Sequence, residues 1–250
     1  MRASGRDGAG LWRANGVTAQ TLARATPLEF GLSRRLTAEA LGSALLLMIV
    51  VGSGIMGERL SGGNTGLALL ANSLATGCGL VVLIWIFGPV SGAHFNPVVT
   101  LIEALRRDLP WRTALTYVPA QIAGAVLGVW AAHLMFGLPV VQVSTHVRAS
   151  DGQIVAESVA TFGLLATILG TSRFRPEATP VAVGLYITAA YWFTASTSFA
   201  NPAVTLARSL TDTFAGIAPG GVPAFILAQT VGALAALAVF GWLLDPRKTS

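Results

Sequence analysis

The sequence is short of the groups that soluble proteins use to face water. Its 250 residues include 16 Lys and Arg and 11 Asp and Glu, so 11% are charged, against about 25% in an ordinary soluble domain. Half that density cannot cover a water-facing surface of this size. An ordinary soluble enzyme and a disordered chain are both excluded. The single cysteine, Cys78, excludes a disulfide framework and a Cys-based metal cluster. The three histidines form no His-x-x-x-His or Glu-x-x-His pair, so no metal site is expected. There is no Gly-x-x-x-x-Gly-Lys-Ser/Thr phosphate loop, and ATP-driven transport is unsupported. With no nucleophile–base pair and no metal motif, an intramembrane enzyme is unsupported too, and no cofactor is implied. The net charge of +5 is spread between apolar segments and forms no single patch, so nucleic acid is not the expected partner.

What is abundant points to a lipid bilayer. Hydrophobic residues make up 53%, and 28 glycines offer the small side chains that let membrane helices approach closely. A crossing helix needs ~20 mostly apolar residues. Six stretches qualify, at about 36–56, 67–88, 114–136, 154–171, 179–195 and 222–244. The first, Leu36 to Met56, is too long for the apolar core of a cleaved signal, about 7–15 residues. Residues 1–35 carry six arginines against Asp7 and Glu29 and read as a flexible cytoplasmic tail. Residues 36–245 read as one membrane domain, and 246–250 as a C-terminal tail. With both termini cytoplasmic, 13 of the 16 Lys and Arg fall inside and only Arg59, Arg148 and Arg208 outside. That asymmetry is the positive-inside pattern, expected here for a multi-pass protein of the inner (plasma) membrane.

Two shorter apolar stretches, 97–105 and 202–210, cannot cross a bilayer. Short segments at membrane depth are tolerated only inside the protein or along a water-filled cavity. The chain also repeats itself. Thr37-Ala38-Glu39-Ala40-Leu41 is echoed by Val155-Ala156-Glu157-Ser158-Val159, and Asn96-Pro97-Val98-Val99-Thr100-Leu101 by Asn201-Pro202-Ala203-Val204-Thr205-Leu206. The halves, about 36–136 and 154–244, each hold three spans and one short piece. An odd number of spans per half inverts one half against the other, as in transporters and channels with a site near the midplane.

Each short piece opens on Asn-Pro. Proline costs nothing in a first helical turn, and Asn before it is a good cap. One such pair is an ordinary turn or cap. Two, each opening a sub-span helix in an inverted repeat, bring two positive helix ends together at the bilayer centre. Cations and hydronium meet a positive field there, and neutral polar solutes meet hydrogen-bond donors.

These residues make the chain resemble the major intrinsic protein family, the aquaporins and aquaglyceroporins. The resemblance rests on Ser91 to Thr100 (SGAHFNPVVT), Phe199 to Ala203 (FANPA), Glu39 and Glu157, and covers about 34–245. It implies an all-α membrane protein of six tilted helices plus two re-entrant half-helices, one pore per subunit and a homotetramer. It implies pore motifs at Asn96, Pro97 and Val98 and at Asn201, Pro202 and Ala203. It implies pore-lining carbonyls at Gly92, Ala93, His94 and Phe95 and at Thr197, Ser198, Phe199 and Ala200. Val98 stands where the family usually has Ala.

The family's narrowest point is a four-residue filter with an Arg three positions after the second Asn. By offset the filter here is Thr76, Ala189, Ser198 and Val204, so it lacks the arginine and is expected to be wide. Arg208, one turn beyond Val204, reaches the outer vestibule or pairs with Asp212 four residues later. The run from Asn201 to Pro219 looks like a bacterial subgroup associated with arsenic resistance. Candidate solutes are glycerol, water, urea, ammonia, hydrogen peroxide and neutral metalloid hydroxides such as arsenite or methylated arsenicals. Cation exclusion then rests on the half-helix dipoles and the two Asn.

An intramembrane carboxylate is a functional candidate by default. The symmetric placement of Glu39 and Glu157 favours a structural bond over a proton relay, and the resemblance has them accept N–H bonds from the re-entrant loops. His94 reads as a loop anchor, and Tyr191, Trp192 and Phe193 as an interfacial aromatic belt. The competing class is a secondary transporter coupled to protons or sodium, which needs a titratable or ion-coordinating group at the midplane.

Overall fold

The computed structural model describes residues 30–245; residues 1–29 and 246–250 lie outside it, and with them most of the expected N-terminal tail and the C-terminal tail. Eight α-helices follow in order: α1 (Leu32–Leu60), α2 (Thr65–Ser91), α3 (Pro97–Leu105), α4 (Trp111–Met135), α5 (Asp151–Phe174), α6 (Thr179–Phe193), α7 (Pro202–Arg208) and α8 (Val222–Leu243). No strand occurs among the described residues. Helices α1, α2, α4 and α5, and α8 with the turn before it, are long and apolar enough to cross a membrane. The 15 residues of α6 span about 22 Å. Leu115, Leu185 and Leu227 are among many exposed apolar side chains, as an outer surface facing hydrocarbon requires.

The helices outrun the apolar stretches that announced them. α1 begins at Leu32, four residues before the boundary expected at 36, because a membrane helix continues into the interface while its Arg side chains bend toward polar partners. Arg35 does so, donating from Nε to the Tyr117 hydroxyl at 2.8 Å. Local signals set the other ends. Asn64 caps α2 by accepting the Leu67 N–H. Ser150 and Gln153 form a reciprocal capping box on α5. Gly92, at φ 92°, takes the left-handed position that ends α2.

The inverted repeat is visible in the packing. α1 lies against α2 and α4, α5 against α6 and α8, and α2 against α6 joins the halves. Glycines set the crossings. A Cβ on Gly124 would lie 2.0 Å from the Ala40 carbonyl oxygen, and one on Gly232 would lie 2.2 Å from that of Ser158. Gly77 and Gly184 face one another across α2 and α6. The half-helices are exchanged between halves. Ala203 and Ala207 of α7 are buried among Leu47 and Val51 of α1 and Val129 of α4. Ile102 of α3 is buried with Leu165 of α5, Ile187 of α6 and Ala236 of α8. Neither half can therefore complete its core without the other, which fixes both half-helices where they meet.

Candidate functional site

The two Asn-Pro pairs meet inside the bundle. Asn96 and Asn201 each precede a proline that occupies the first turn of a half-helix, and each side chain accepts from its own helix's first N–H groups. Their amide Nδ2 atoms cross to the opposite half. Asn96 donates to the Ala200 carbonyl at 2.8 Å and Asn201 to the Phe95 carbonyl at 2.8 Å. Each amide has a second N–H, and both residues line a cavity of about 400 Å³. That cavity reaches from Glu103, Arg106 and Asp108 at the far end of α3 to Tyr191 and Arg208 at the far end of α7. It therefore has an α3 mouth, a centre with two Asn amides, and an α7 mouth.

The segments entering the half-helices are held in strained backbone. Ala93, Phe95, Ser198 and Ala200 have φ near +50°, and Thr197 has 63°. Such conformations cost non-glycine residues about 1–3 kcal/mol each and persist only when the surroundings fix them. Two buried carboxylates do the fixing. Glu39 accepts the His94 and Phe95 N–H groups at 3.0 and 2.8 Å and the Ser91 hydroxyl at 2.6 Å. Glu157 accepts the Phe199 and Ala200 N–H groups at 2.8 and 2.9 Å. With the N–H groups drawn to one side, the carbonyls turn to the other. Those of Gly92, Ala93 and His94, and of Ser198 and Phe199, accept no protein donor among the described residues, and these residues line the cavity. Thr197, expected in the same row, does not line it.

Two glutamines complete this frame and were missed by the motif reading. Gln121 donates to Glu39 at 2.8 Å and to the Thr100 hydroxyl at 2.9 Å. Gln229 donates to Glu157 at 2.6 Å and to the Thr205 hydroxyl at 2.8 Å. Each ties a loop anchor on one helix to a half-helix. The signal was available: Ala120-Gln121-Ile122-Ala123-Gly124-Ala125 is echoed by Ala228-Gln229-Thr230-Val231-Gly232-Ala233.

At the α7 mouth the structure brings Thr76, Ser198 and Val204 to the cavity wall. It does not bring Ala189, which is exposed on the outer face of α6. Tyr191, two residues on, is buried and lines the cavity, with its hydroxyl 3.3 Å from that of Thr76. Val183, Ile187 and Tyr191 form the cavity-facing stripe of α6 at helical spacing, and Ala189 falls on the opposite face. Of the expected aromatic belt, Tyr191 is thus a wall residue. Trp192 donates to the Ser73 hydroxyl at 3.0 Å, and Phe193 stays exposed.

Arg208 also lines the cavity, and it does not pair with Asp212. α7 ends at Arg208, so no helical turn carries Asp212 back beside it. Its guanidinium instead stacks 3.4 Å over the Phe199 ring, and Nε donates to the Ala215 carbonyl. Arg148 lies 5.4 Å from the same ring and donates to the carbonyls of Gly216 at 2.8 Å and Phe214 at 3.3 Å. Burial pulls the Arg148 pKa below its ordinary value. Asp212 accepts the Thr145 N–H and hydroxyl at 2.8 and 2.9 Å, and these two bonds hold its carboxyl below the usual range. The loops 136–150 and 209–221 are in this way laced together over the α7 mouth.

His94 is anchored by Nδ1 to the Thr100 hydroxyl at 3.0 Å. Cys78 is exposed on the bundle surface. No group of three His, Cys, Asp or Glu suited to a metal ion exists among the described residues.

Residues 28–196 match the sequence model of the family described as major intrinsic protein. The chain belongs to that family. Among its relatives is aquaglyceroporin AqpS of Rhizobium meliloti (strain 1021), 58% identical over 220 residues, covering 88% of this chain and 94% of AqpS. The glycerol uptake facilitator protein of Streptococcus pneumoniae is 28% identical over 172 residues, 62% of this chain and 73% of that protein. The aquaglyceroporin from Plasmodium falciparum shares the fold at a TM-score of 0.72, with 18% identity, covering 86% of this chain and 98% of that one. This member of the major intrinsic protein family is an integral membrane channel with the aquaporin fold, and the family's proteins are channels, not enzymes.

Proposed function

We propose that the chain is a passive channel for small neutral polyhydroxyl solutes, glycerol foremost, with water passing in the same file. The observation that carries this is the cavity wall. Most of it is apolar, with Leu46, Val50, Leu80, Ile84, Leu164 and Val183. Within the same cavity lie the Asn96 and Asn201 amides and the loop carbonyls. A polyol offers both carbon and hydroxyls, and the lining offers apolar contact for the one and hydrogen-bond partners for the other. Neutral arsenite is a trihydroxide and presents the same hydroxyl chemistry, so it and its methylated forms are further candidates.

The filter in this reading is Thr76, Tyr191, Ser198 and Val204, with Arg208 beside them. The α3 mouth is cytoplasmic, following the distribution of Lys and Arg, and the protein sits in the inner membrane. The homotetramer rests on the family. An ion-coupled transporter has less support. The centre offers two Asn, and the two carboxylates nearest it are committed to the loops through Glu39 and Glu157.

Stopped-flow light scattering on proteoliposomes tests the reading by comparing glycerol uptake with water efflux in one preparation. Glycerol uptake well above protein-free liposomes is expected, unchanged by collapsing a proton gradient. Water flux without glycerol uptake, or uptake that follows the gradient, would overturn it.

A further inference from the structure

The repeat places opposite charges at one position. Seven residues after Asn96 stands Glu103, and seven residues after Asn201 stands Arg208; both line the cavity, one at each mouth. Arg208 is 2% exposed, and no carboxylate lies within 4 Å of it among the described residues. A guanidinium has five N–H donors. One of Arg208's is committed to the Ala215 carbonyl, and the others have no protein acceptor among the described residues. A buried charge without a counter-charge is costly and marks a place where something else completes it.

Ser198 stands at the same mouth. It is 3% exposed and lines the cavity, and its buried hydroxyl has no hydrogen-bond partner among the described residues. Its neighbours at the mouth are already paired, since the Thr76 and Tyr191 hydroxyls face each other. The unmet donors are therefore those of Arg208, whose guanidinium lies over the Phe199 ring, and of Ser198, the residue before that ring in the chain. Arg148, against the same ring, adds positive charge behind them and is itself committed to backbone carbonyls. The geometry points to an anion subsite at the α7 mouth, in which Arg208 and Ser198 bind a small monovalent carboxylate of formate size. The inference rests on the cavity being open to solutes from that mouth. A carboxylate fits because its two oxygens match the fork of a guanidinium.

The test is isothermal titration calorimetry of the full-length chain in detergent micelles with sodium formate. Sodium gluconate, too bulky for the mouth, serves as the ionic-strength control. The wild type should give a saturable heat with formate and none with gluconate. R208Q should lose it. S198A, which leaves Arg208 and its contacts in place, should weaken the affinity about tenfold, the size of one hydrogen bond to a charged group. No saturable heat in the wild type overturns the inference, and so does equal affinity in R208Q. If R208Q does not stay monodisperse, S198A decides, and an unchanged affinity there overturns the subsite. Glycerol uptake by the same preparation separates the two readings. Formate binding without glycerol uptake leaves the subsite standing and sinks the conduit for polyols. Glycerol uptake without formate binding does the reverse.

Discussion

Glu39 and Glu157 are membrane-buried carboxylates whose function is to be accepted into a frame. Replacing Glu157 with Ala strands the Phe199 and Ala200 N–H groups and the Gln229 amide. Each stranded buried donor costs about 1–3 kcal/mol, and the strained φ at Ser198 and Ala200 loses what holds it. E157A and E39A should therefore melt well below the wild type in detergent, and flux should fall with them. E157Q, which keeps one acceptor oxygen, should fall between. Fluorescence-detected size exclusion after heating, read beside glycerol uptake, checks this; a well-folded E39A with unchanged flux would contradict it. Asp212 carries a pH prediction of the same scale. Its carboxyl titrates below the usual value in the folded chain because Thr145 donates to it twice. A depressed folded pKa contributes stability that is present above the unfolded value, near 3.9, and is lost as pH falls through the folded one. D212N should therefore melt below the wild type at pH 5–8, and the difference should vanish in stronger acid. At this scale the sequence was most and least legible. Asn96, Asn201, Glu39 and Glu157 could be read because both copies of each motif survive. For Arg208 the sequence left two readings, the outer vestibule and a pair with Asp212, and it could not choose because the second presumes a helix that continues, whereas α7 stops at Arg208 itself.

Among the helices, the crossings depend on absent side chains. The α1–α4 pair meets where Gly124 and Gly128 face the Ala40 and Ala44 carbonyls, and the α5–α8 pair where Gly232 faces that of Ser158. An added methyl group at Gly124 or Gly232 would meet backbone oxygen, which cannot turn aside, so the helices must part. Overpacking of that kind costs about 1–3 kcal/mol. Gly170 of α5 has nothing within 4 Å of the added carbon, and Ala there gains helix propensity worth under about 1 kcal/mol. G124A and G232A should lower the melting temperature in detergent, while G170A leaves it level or raises it. Equal shifts in all three would remove close approach as the cause. Element existence was legible from apolar runs, and the half-helices from their Asn-Pro starts. The register of α6 was not. Ala189 and Tyr191 lie two positions apart, about 200° around a helix, so they take opposite faces, and the rotation of α6 in the folded bundle decides which one meets the cavity. Counting from the motif presumes a loop length that only the folded path supplies.

For the whole molecule, the question is what the proposed glycerol conduit does with ions. Each half-helix presents about half a positive charge at its N-terminus. The bundle exchanges the half-helices between halves, so both ends face the centre beside Asn96 and Asn201. Arg208 and Arg148 add two cations at the α7 mouth. A cation from that side meets positive potential from mouth to centre, in surroundings where water cannot screen it fully. In the proposed filter Val204 brings no charge of its own, so the field there comes from Arg208 and the helix ends. The expected wild-type behaviour is therefore glycerol flux with little proton or sodium leak. Reversing the sign at the centre should undo it. Two carboxylates in N96D/N201D outweigh the combined helix ends; each keeps the oxygen that caps its own half-helix and loses the amide bond to the Ala200 or Phe95 carbonyl. A pyranine assay in proteoliposomes should show a proton leak at least tenfold above the wild type, with the single variants between. A double variant that stays folded and conducts glycerol with no added leak would mean that the centre does not set cation exclusion, and that the α7 mouth alone carries it.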